Sequence, residues 1–234
     1  MMKLFDRVIR KIFTSPLSIP CSIIRVLICE VRSIYYSSKI DNGGGKIILT
    51  DPFIRFKIQK DKSAELFIKG TLSIVTHIGG NSPIVIQMEA NSRIRINGDF
   101  AIGQGVRICL VANSNLIIGG KDKESASGIT ADTLIMVSKN IEIGKDFLCA
   151  WNIFISDSDW HSIEGQSHQK DVIIGDHVWV ANSCSILKGA VIRENCIVAS
   201  HSKITNKKYP KNSLLAGVPA QVVKTDINWS RDIL

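Results

Sequence analysis

The sequence predicts an all-β solenoid of stacked coils, and three observations predict it. Counting in sixes from Ile174 lands on Val180, Ile186, Ile192, Val198 and Ile204, six branched apolar residues at a period that no helix or simple sheet requires. Two residues ahead of each from Val180 on stand Val178, Cys184, Ala190, Cys196 and Ser202, all small or medium. Each repeat therefore reads as a short strand whose first and third residues face inward. Between strands lie pieces such as Leu187-Lys188-Gly189 and Arg193-Glu194-Asn195, where Gly and Asn tolerate the left-handed backbone of a sharp corner. Hexapeptide periodicity is a signature of β-solenoids, in which each coil buries its inner side only by stacking on its neighbours.

Two further runs carry the pattern towards the N-terminus. One passes through Leu66, Leu72, Ile78, Ile84, Ala90, Ile96, Ile102 and Ile108, with Ser82, Met88, Ile94, Phe100, Val106 and Ala112 in the partner positions. The other passes through Ala131, Val137, Ile143, Cys149 and Ile155, partnered by Ile135, Ile141, Phe147 and Ile153. The runs differ in phase, so residues 114–130 and roughly 161–173 are expected to leave the repeat as loops, where function tends to sit. Asp41-Asn42-Gly43-Gly44-Gly45 marks a hinge into first strands at Lys46–Thr50 and Phe53–Gln59. The expected organisation is a helical N-terminal segment and hinge at 1–45, a β-helix of about six coils at 46–225, and a short C-terminal tail at 226–234.

Composition fits this picture. The 234 residues are 45% apolar but only 6% aromatic, as suits a thin prism that stacks Ile, Val and Leu. The six cysteines form no CxxC pair, and Cys149, Cys184 and Cys196 fall on inward positions, so they read as small core residues in a reducing, cytoplasmic compartment. The apolar stretch from Leu17 to Val31 is interrupted by Pro20, Arg25 and Glu30, which argues against a secretory leader or a membrane span. Residues 1–40 instead read as one or two amphipathic helices with Lys3, Arg7, Arg10 and Lys11 at one end. Packing on the solenoid or a sister subunit, peripheral contact with anionic lipid at the inner face of the membrane, and disorder are the alternatives for them. A net charge of +8 raises nucleic acid as a partner, but the basic residues are scattered and no binding motif accompanies them, so nucleic acid is excluded. Such a surface suits phosphates or an acidic glycan.

The string IIGDHVWVANSCSILKGAVIRENCIVASHSKIT, followed by NSLLAGVPAQVVK, resembles the hexapeptide-repeat acyltransferases. The likeness covers about residues 66–225, with the most specific motifs between Asp157 and Lys224. It implies a left-handed triangular β-helix, a homotrimer and acetyl-CoA as donor. The SDSDWHSI segment, the VWVAN turn and the terminal INW are most similar to sugar O-acetyltransferases that decorate capsular and O-antigen polysaccharides, so the implied acceptor is a glycan.

Transfer of acetyl from a thioester to a sugar hydroxyl needs a base, because an alcohol is a poor nucleophile until its proton is removed, and imidazole suits that task near neutral pH. Matching SDSDWH to the family motif places His161 as that base in a direct transfer with no covalent enzyme intermediate. His168, in the same loop, is a candidate for lining the acceptor cleft. His77, His177 and His201 sit at outward or turn positions and read as ordinary surface residues. The close His-x4-His pair of a hexapeptide-repeat zinc site is missing, so no metal is expected.

Asp157 and Asp159 flank the base at alternating positions and are expected to point to the same side. Two roles compete, holding the imidazole and bonding the sugar. Asp159 is assigned to orientation, while Asp157 remains divided between the two, and Trp160 reads as a platform for a sugar face or as a cover over the subunit seam, the first being preferred. By resemblance, Trp179 faces the donor channel, where its carbonyl can hold the histidine ring and its indole can border cofactor or acceptor. Asn182, Ser200 and Thr205 fall on the edge expected to carry the pantetheine arm, and Lys207 and Lys208 are candidates for coenzyme A phosphates. Gln221 stands where the family commonly has lysine, which leaves Lys224 as a substitute. The leading function is an acetyl-CoA-dependent O-acetyltransferase of a bacterial surface glycan or its precursor. The alternatives are N-acetylation of an amino sugar nucleotide on the same scaffold and a catalytically silent assembly module.

Overall fold

The computed structural model describes residues 19–76, 80, 82–121 and 127–231. The basic residues before Ile19, and His77 and Ile78, lie outside them. Among the described residues the strands form three sheets of nine, seven and seven members, and consecutive strands of one coil belong to different sheets. The result is a three-faced prism. Faces are numbered in chain order: the first holds Lys46–Leu49 and Trp179–Val180, the second Phe56–Lys60 and Ser185–Ile186, the third Glu65–Ile68 and Val191–Ile192. The first corner leads from the first face to the second, the second corner from the second to the third, and the third corner into the next coil. Seven coils run from Lys46 to Tyr209; Leu214–Gly217 then extends the first face and Ala220–Lys224 folds back antiparallel upon it.

Stacking follows the inward positions. Ile155, Ile186 and Ile204 lie in register on the second face, and Cys149, Val180 and Val198 on the first. All six residues of the run from Ile174 are buried, as are their small partners from Val178 to Ser202 and the whole run through Ala131 and Ile155. Burying each such aliphatic side chain contributes about 1.5–3 kcal/mol before conformational entropy is subtracted. At the third corner Asp146, His177, Asn195 and Asn212 take the left-handed backbone, and each donates its amide to a carbonyl one coil earlier, Gly120, Lys145, Asp176 and Glu194 respectively.

The earlier run needs correction. Ser82 and Ala112 are exposed and Ala90 is only half-buried, because they sit at corners and not on inward strand positions. Ile174 pairs with Ile192, three hexads on, but Ile94 pairs with Leu116 and Leu66 with Ile94, at longer spacings. The sixfold count holds only where no corner is extended. For the same reason residues 114–130 are not all loop: Asn115–Gly120 is a strand with Leu116 and Ile118 fully buried, and Gly128–Ala131 is the next strand. At the start, Phe53 belongs to an exposed turn and the second strand begins at Phe56.

The helix Ile19–Ser37 covers the free edge of Lys46–Leu49. Ser33 and Ser37 accept hydrogen bonds from the amides of Leu49 (3.0 Å) and Ile47 (2.9 Å), which satisfies groups that would otherwise be an open sheet edge. In the hinge, burial pushes the Asp41 carboxyl up, but the Leu66 amide and the Lys60 ammonium outweigh it and hold it below the usual carboxylate range. Among the described residues no helix is long and apolar enough to cross a membrane. Cys149, Cys184 and Cys196 are unpaired and buried, and burial raises each thiol above its ordinary value, away from the reactive thiolate.

Candidate active site

One corner departs from the tight pattern. After the strand Phe154–Ser156 the second corner extends over 157–171 before Val172–Ile174 resumes the third face. The excursion is a small hairpin: Lys170 donates its amide to the Asp157 carbonyl (2.9 Å), Asp159 donates to His168 (2.8 Å), and Gln166 donates to Ile163 at the tip (2.9 Å). Two serines shape its entry. Ser156 Oγ receives the Trp160 indole N–H at 3.1 Å and Ser158 Oγ receives the Trp160 amide at 3.0 Å, which holds Trp160 at φ +65°. A bulky residue in the left-handed region is uncommon and occurs where surroundings over-determine it. This turn delivers His161 to the outer surface, where it is exposed and makes no hydrogen bond or ion pair among the described residues. His168 is exposed on the opposite arm.

The two aspartates do not share a side. Asp157 is fully buried, and its carboxylate accepts the amides of Ser138, Lys139 and Asn140, each at 2.7 Å. It clamps the corner one coil below and has no surface to offer an acceptor, which corrects the expectation of substrate contact. Asp159 is ion-paired with Lys188 of the next coil rather than bonded to His161. Lys188 also donates to the Ser167 carbonyl at 2.8 Å, so that one ammonium ties both arms of the hairpin to the coil above. The alternation that suggested a common side ends with the strand at Ser156. Ser156, Ser158 and Lys188 were not singled out by sequence, although the two serines lie inside the motif.

Trp179 lies elsewhere. Its side chain points outward from the first face, which is opposite the second corner, so the solenoid core separates it from the His161 hairpin of the same chain. A second indole, Trp229, sits 5.9 Å from it between ring centroids. Trp229 is stacked on His177 at 4.0 Å, its Nε1–H donates to the His177 carbonyl (3.2 Å), and His177 Nε2 donates to the Trp229 carbonyl (3.1 Å). Asn195 and Asn212 hold Ile227, and Arg231 reaches the Asp146 carbonyl, so residues 227–231 form a strap along the third corner. His177 is thus half-buried in a contact, not an ordinary surface residue, whereas His201 is exposed at a corner as its position suggests.

The repeat and the hairpin together can be compared with known proteins. A family model described as bacterial transferase hexapeptide (six repeats) matches residues 171–206. The polysialic acid O-acetyltransferase of Neisseria meningitidis is 34% identical over 164 residues, covering 66% of this chain and 74% of that protein. The chain belongs to the hexapeptide-repeat acyltransferases. A 24.8 kDa uncharacterized protein in the cps region of Klebsiella pneumoniae is 30% identical over 191 residues, 79% of this chain and 82% of that one. Among solved structures, the polysialic acid O-acetyltransferase OatWY superposes with a TM-score of 0.55 at 26% identity, over 82% of this chain and 92% of that chain. The three-faced prism is accordingly the left-handed parallel β-helix of these acyltransferases.

The residues that the resemblance assigns to a donor are divided by the structure. Asn182 and Ser200 share the first corner, where Ser200 Oγ donates to Asn182 Oδ1 at 2.8 Å. Thr205 and Lys207 lie at the second corner above the hairpin, Lys208 points outward from the third face, and Lys224 is exposed on the terminal antiparallel strand. The expected continuous edge of Asn182, Ser200 and Thr205 is therefore broken within one chain, because successive corners belong to different sides of the prism. Lys207 Nζ donates to Gln221 Oε1 at 2.8 Å, and Lys170 Nζ, not singled out by sequence, donates to Asn206 Oδ1 at 2.7 Å. Both partners are neutral amides, so both ammoniums keep their charge available for an anion. Among the described residues there is no cluster of three or more His, Cys, Asp or Glu able to hold a metal.

Proposed function

We propose that this acyltransferase moves an acetyl group from acetyl-CoA to a hydroxyl of an acidic bacterial surface polysaccharide, in a homotrimer whose sites lie between copies. The observation that carries the reading is His161, an exposed imidazole with no competing partner, held on a hairpin whose corner also bears Lys170 and Lys207 with neutral partners. Relatives named as polysialic acid O-acetyltransferases support the acceptor class. In the mechanism, the free imidazole nitrogen takes the proton of the sugar hydroxyl, the oxygen attacks the thioester carbonyl, and the carbon–sulfur bond breaks as the imidazolium returns the proton to the leaving thiolate. Lys170, Lys207 and Lys208 suit the donor phosphates, and Trp160 and His168 border the acceptor.

The placement of Trp179 supports a shared site. Outside the first face Leu148, Trp179, Ile197 and Leu214 lie in register, and outside the second face Leu134, Met136 and Phe154 are half-buried, giving two apolar flanks suited to side-by-side contact. Such packing turns the Trp179 face of one copy towards the His161 corner of another.

Two measurements test this. Purified protein is incubated with labelled acetyl-CoA and either polysialic acid, O-antigen fragments or amino sugar nucleotides, and the product is treated with mild base; base-labile label on a polysaccharide is expected, and base-stable label would mean N-acetylation instead. For the shared site, His161→Ala and Trp179→Arg chains are each inactive alone and regain activity when co-assembled. Failure of the mixed assembly to exceed either parent would place the site within one chain.

A further inference from the structure

The N-terminal helix has one side against the solenoid and one side turned away. Arg32 donates to the carbonyls of Pro52 and Ile54, Tyr36 donates to that of Phe56, and Ser33 and Ser37 hold the first strand, which fixes the inner side. The outer side is a stripe of Ile23, Ile24, Leu27, Val31, Ile34 and Tyr35, each between 43% and 68% exposed. These positions recur at three- and four-residue intervals, the spacing of one helix face. Phe53, 69% exposed in the turn between the first two strands, extends the apolar surface, with the Arg25 guanidinium 5.3 Å from its ring centroid. Scattered exposed apolar residues need no explanation, but a continuous stripe marks an interaction surface.

Charge decides the partner. Residues 1–62 hold 12 of the 29 Lys and Arg but only 5 of the 21 Asp and Glu, a net +7 out of +8 for the chain. The remaining 172 residues are close to neutral. The stripe therefore lies at a pole where the described residues 19–62 hold eight Lys and Arg against four Asp and Glu, and the sequence just before it carries Lys3, Arg7, Arg10 and Lys11 against a single acid, Asp6. A second copy docked pole to pole would bring like charge to like. An apolar stripe bordered by cations is the combination that binds an anionic lipid surface, where rings and aliphatic side chains enter the acyl boundary and cations meet headgroups.

We propose that the outer side of the helix Ile19–Ser37 docks this enzyme on an anionic bilayer, with the N-terminal pole facing the membrane and the acetyl-transfer hairpin several coils away. The test is co-sedimentation of the full-length protein with vesicles of phosphatidylcholine alone and of phosphatidylcholine mixed with phosphatidylglycerol. Binding to the mixed vesicles should exceed binding to phosphatidylcholine by about tenfold or more and weaken as salt is raised. The triple variant Leu27→Ser, Val31→Ser, Ile34→Ser should lose about tenfold in partition while its acetyl transfer to a soluble glycan stays at the wild-type level. Replacing Lys3, Arg7, Arg10 and Lys11 by Gln should reduce partition to the mixed vesicles specifically. No binding of the wild type to mixed vesicles, or equal binding of the triple variant, overturns the proposal. A fall in oligomer mass on the serine substitutions also overturns it and assigns the stripe to contact between copies.

Discussion

At the height of the fifth and sixth coils, the second and third corners of the same prism are built on opposite terms. The second corner extends over 157–171, exposes every residue from His161 to His168, and is tied down by ion pairs and serine hydroxyls. The third corner turns tightly, places His177 in the left-handed backbone and covers it with Trp229. The same residue type meets two environments, one leaving the imidazole free and the other occupying its Nε2 and both its ring and its carbonyl. The ladder requires only the tight form, since strands stack equally well over either. An extended corner is therefore spare with respect to folding, which is what lets it hold an exposed, uncommitted imidazole.

The largest expected difference comes from exchanging the two histidines' fates. His161→Ala should lower kcat by about a hundredfold or more, near 2.7 kcal/mol of barrier, with unchanged melting temperature and acetyl-CoA affinity. His177→Ala should do the reverse, lowering Tm while kcat stays within about threefold. Steady-state kinetics and thermal denaturation on both variants check this, and a large kcat loss in His177→Ala with a silent His161→Ala would reverse the assignment.

Next in size is the clamp beneath the hairpin. Asp157→Asn keeps the shape of the side chain but turns an amide donor towards backbone amides that also donate, leaving at least one of the three unsatisfied in a buried position at a cost of about 2 kcal/mol. Lower thermal stability and loss of hydrogen-exchange protection at Ser138, Lys139 and Asn140 are expected, with kcat falling because the hairpin loosens. Protection unchanged at those amides would show the clamp to be dispensable.

The same contrast explains what was legible in the sequence. From Ile174 to Ile204 the corners are uniform, so the sixfold count and the true strands coincide residue by residue. Before Ala131 the corners vary in length, so the fixed count finds the core at Leu66, Leu72, Ile84, Ile96, Ile102 and Ile108 but falls on corners at Ser82, Ala90 and Ala112. His161 stands out in the sequence through its motif, not its position. Asp157 was misread because alternation was carried past the end of a strand; its partners lie one coil back, a separation that the repeat itself makes meaningful. The Trp229 contact had no local signal, since it joins residues 52 apart through packing of the tail on the corner.

A smaller effect is expected from charge at the second corner. Reversing Lys207 and Lys208 to Glu should raise the acetyl-CoA KM by about tenfold, near 1.4 kcal/mol, and the glycan KM far less, with a smaller penalty for a donor lacking the 3′-phosphate. Kinetics on the double variant with full and dephospho donors distinguishes this from a general loss of activity. An unchanged donor KM would remove these lysines from the site.

The smallest expected effect probes whether the third corner also serves the site. Trp229 joins His177 to Trp179, and Trp179 is on the face that a neighbouring copy's hairpin meets in the proposed assembly. Trp229→Ala removes a 9% exposed indole together with the stacked pair; the pair alone is worth about 1 kcal/mol beyond burial, about 2–4 °C in Tm for a chain of this size, and the lost burial adds to that shift. If the strap is only a fastening, that shift is the whole phenotype. If it also holds Trp179, KM should rise about threefold with kcat nearly constant, because a loosened wall weakens ground-state and transition-state binding alike. Trp229→Phe separates the two contributions, since it keeps a ring against His177 but drops the hydrogen bond to its carbonyl; it should recover the Trp179 indole environment, read by fluorescence, together with KM. A Tm shift with KM unchanged in both variants would leave the third corner with folding alone and the second with all the chemistry.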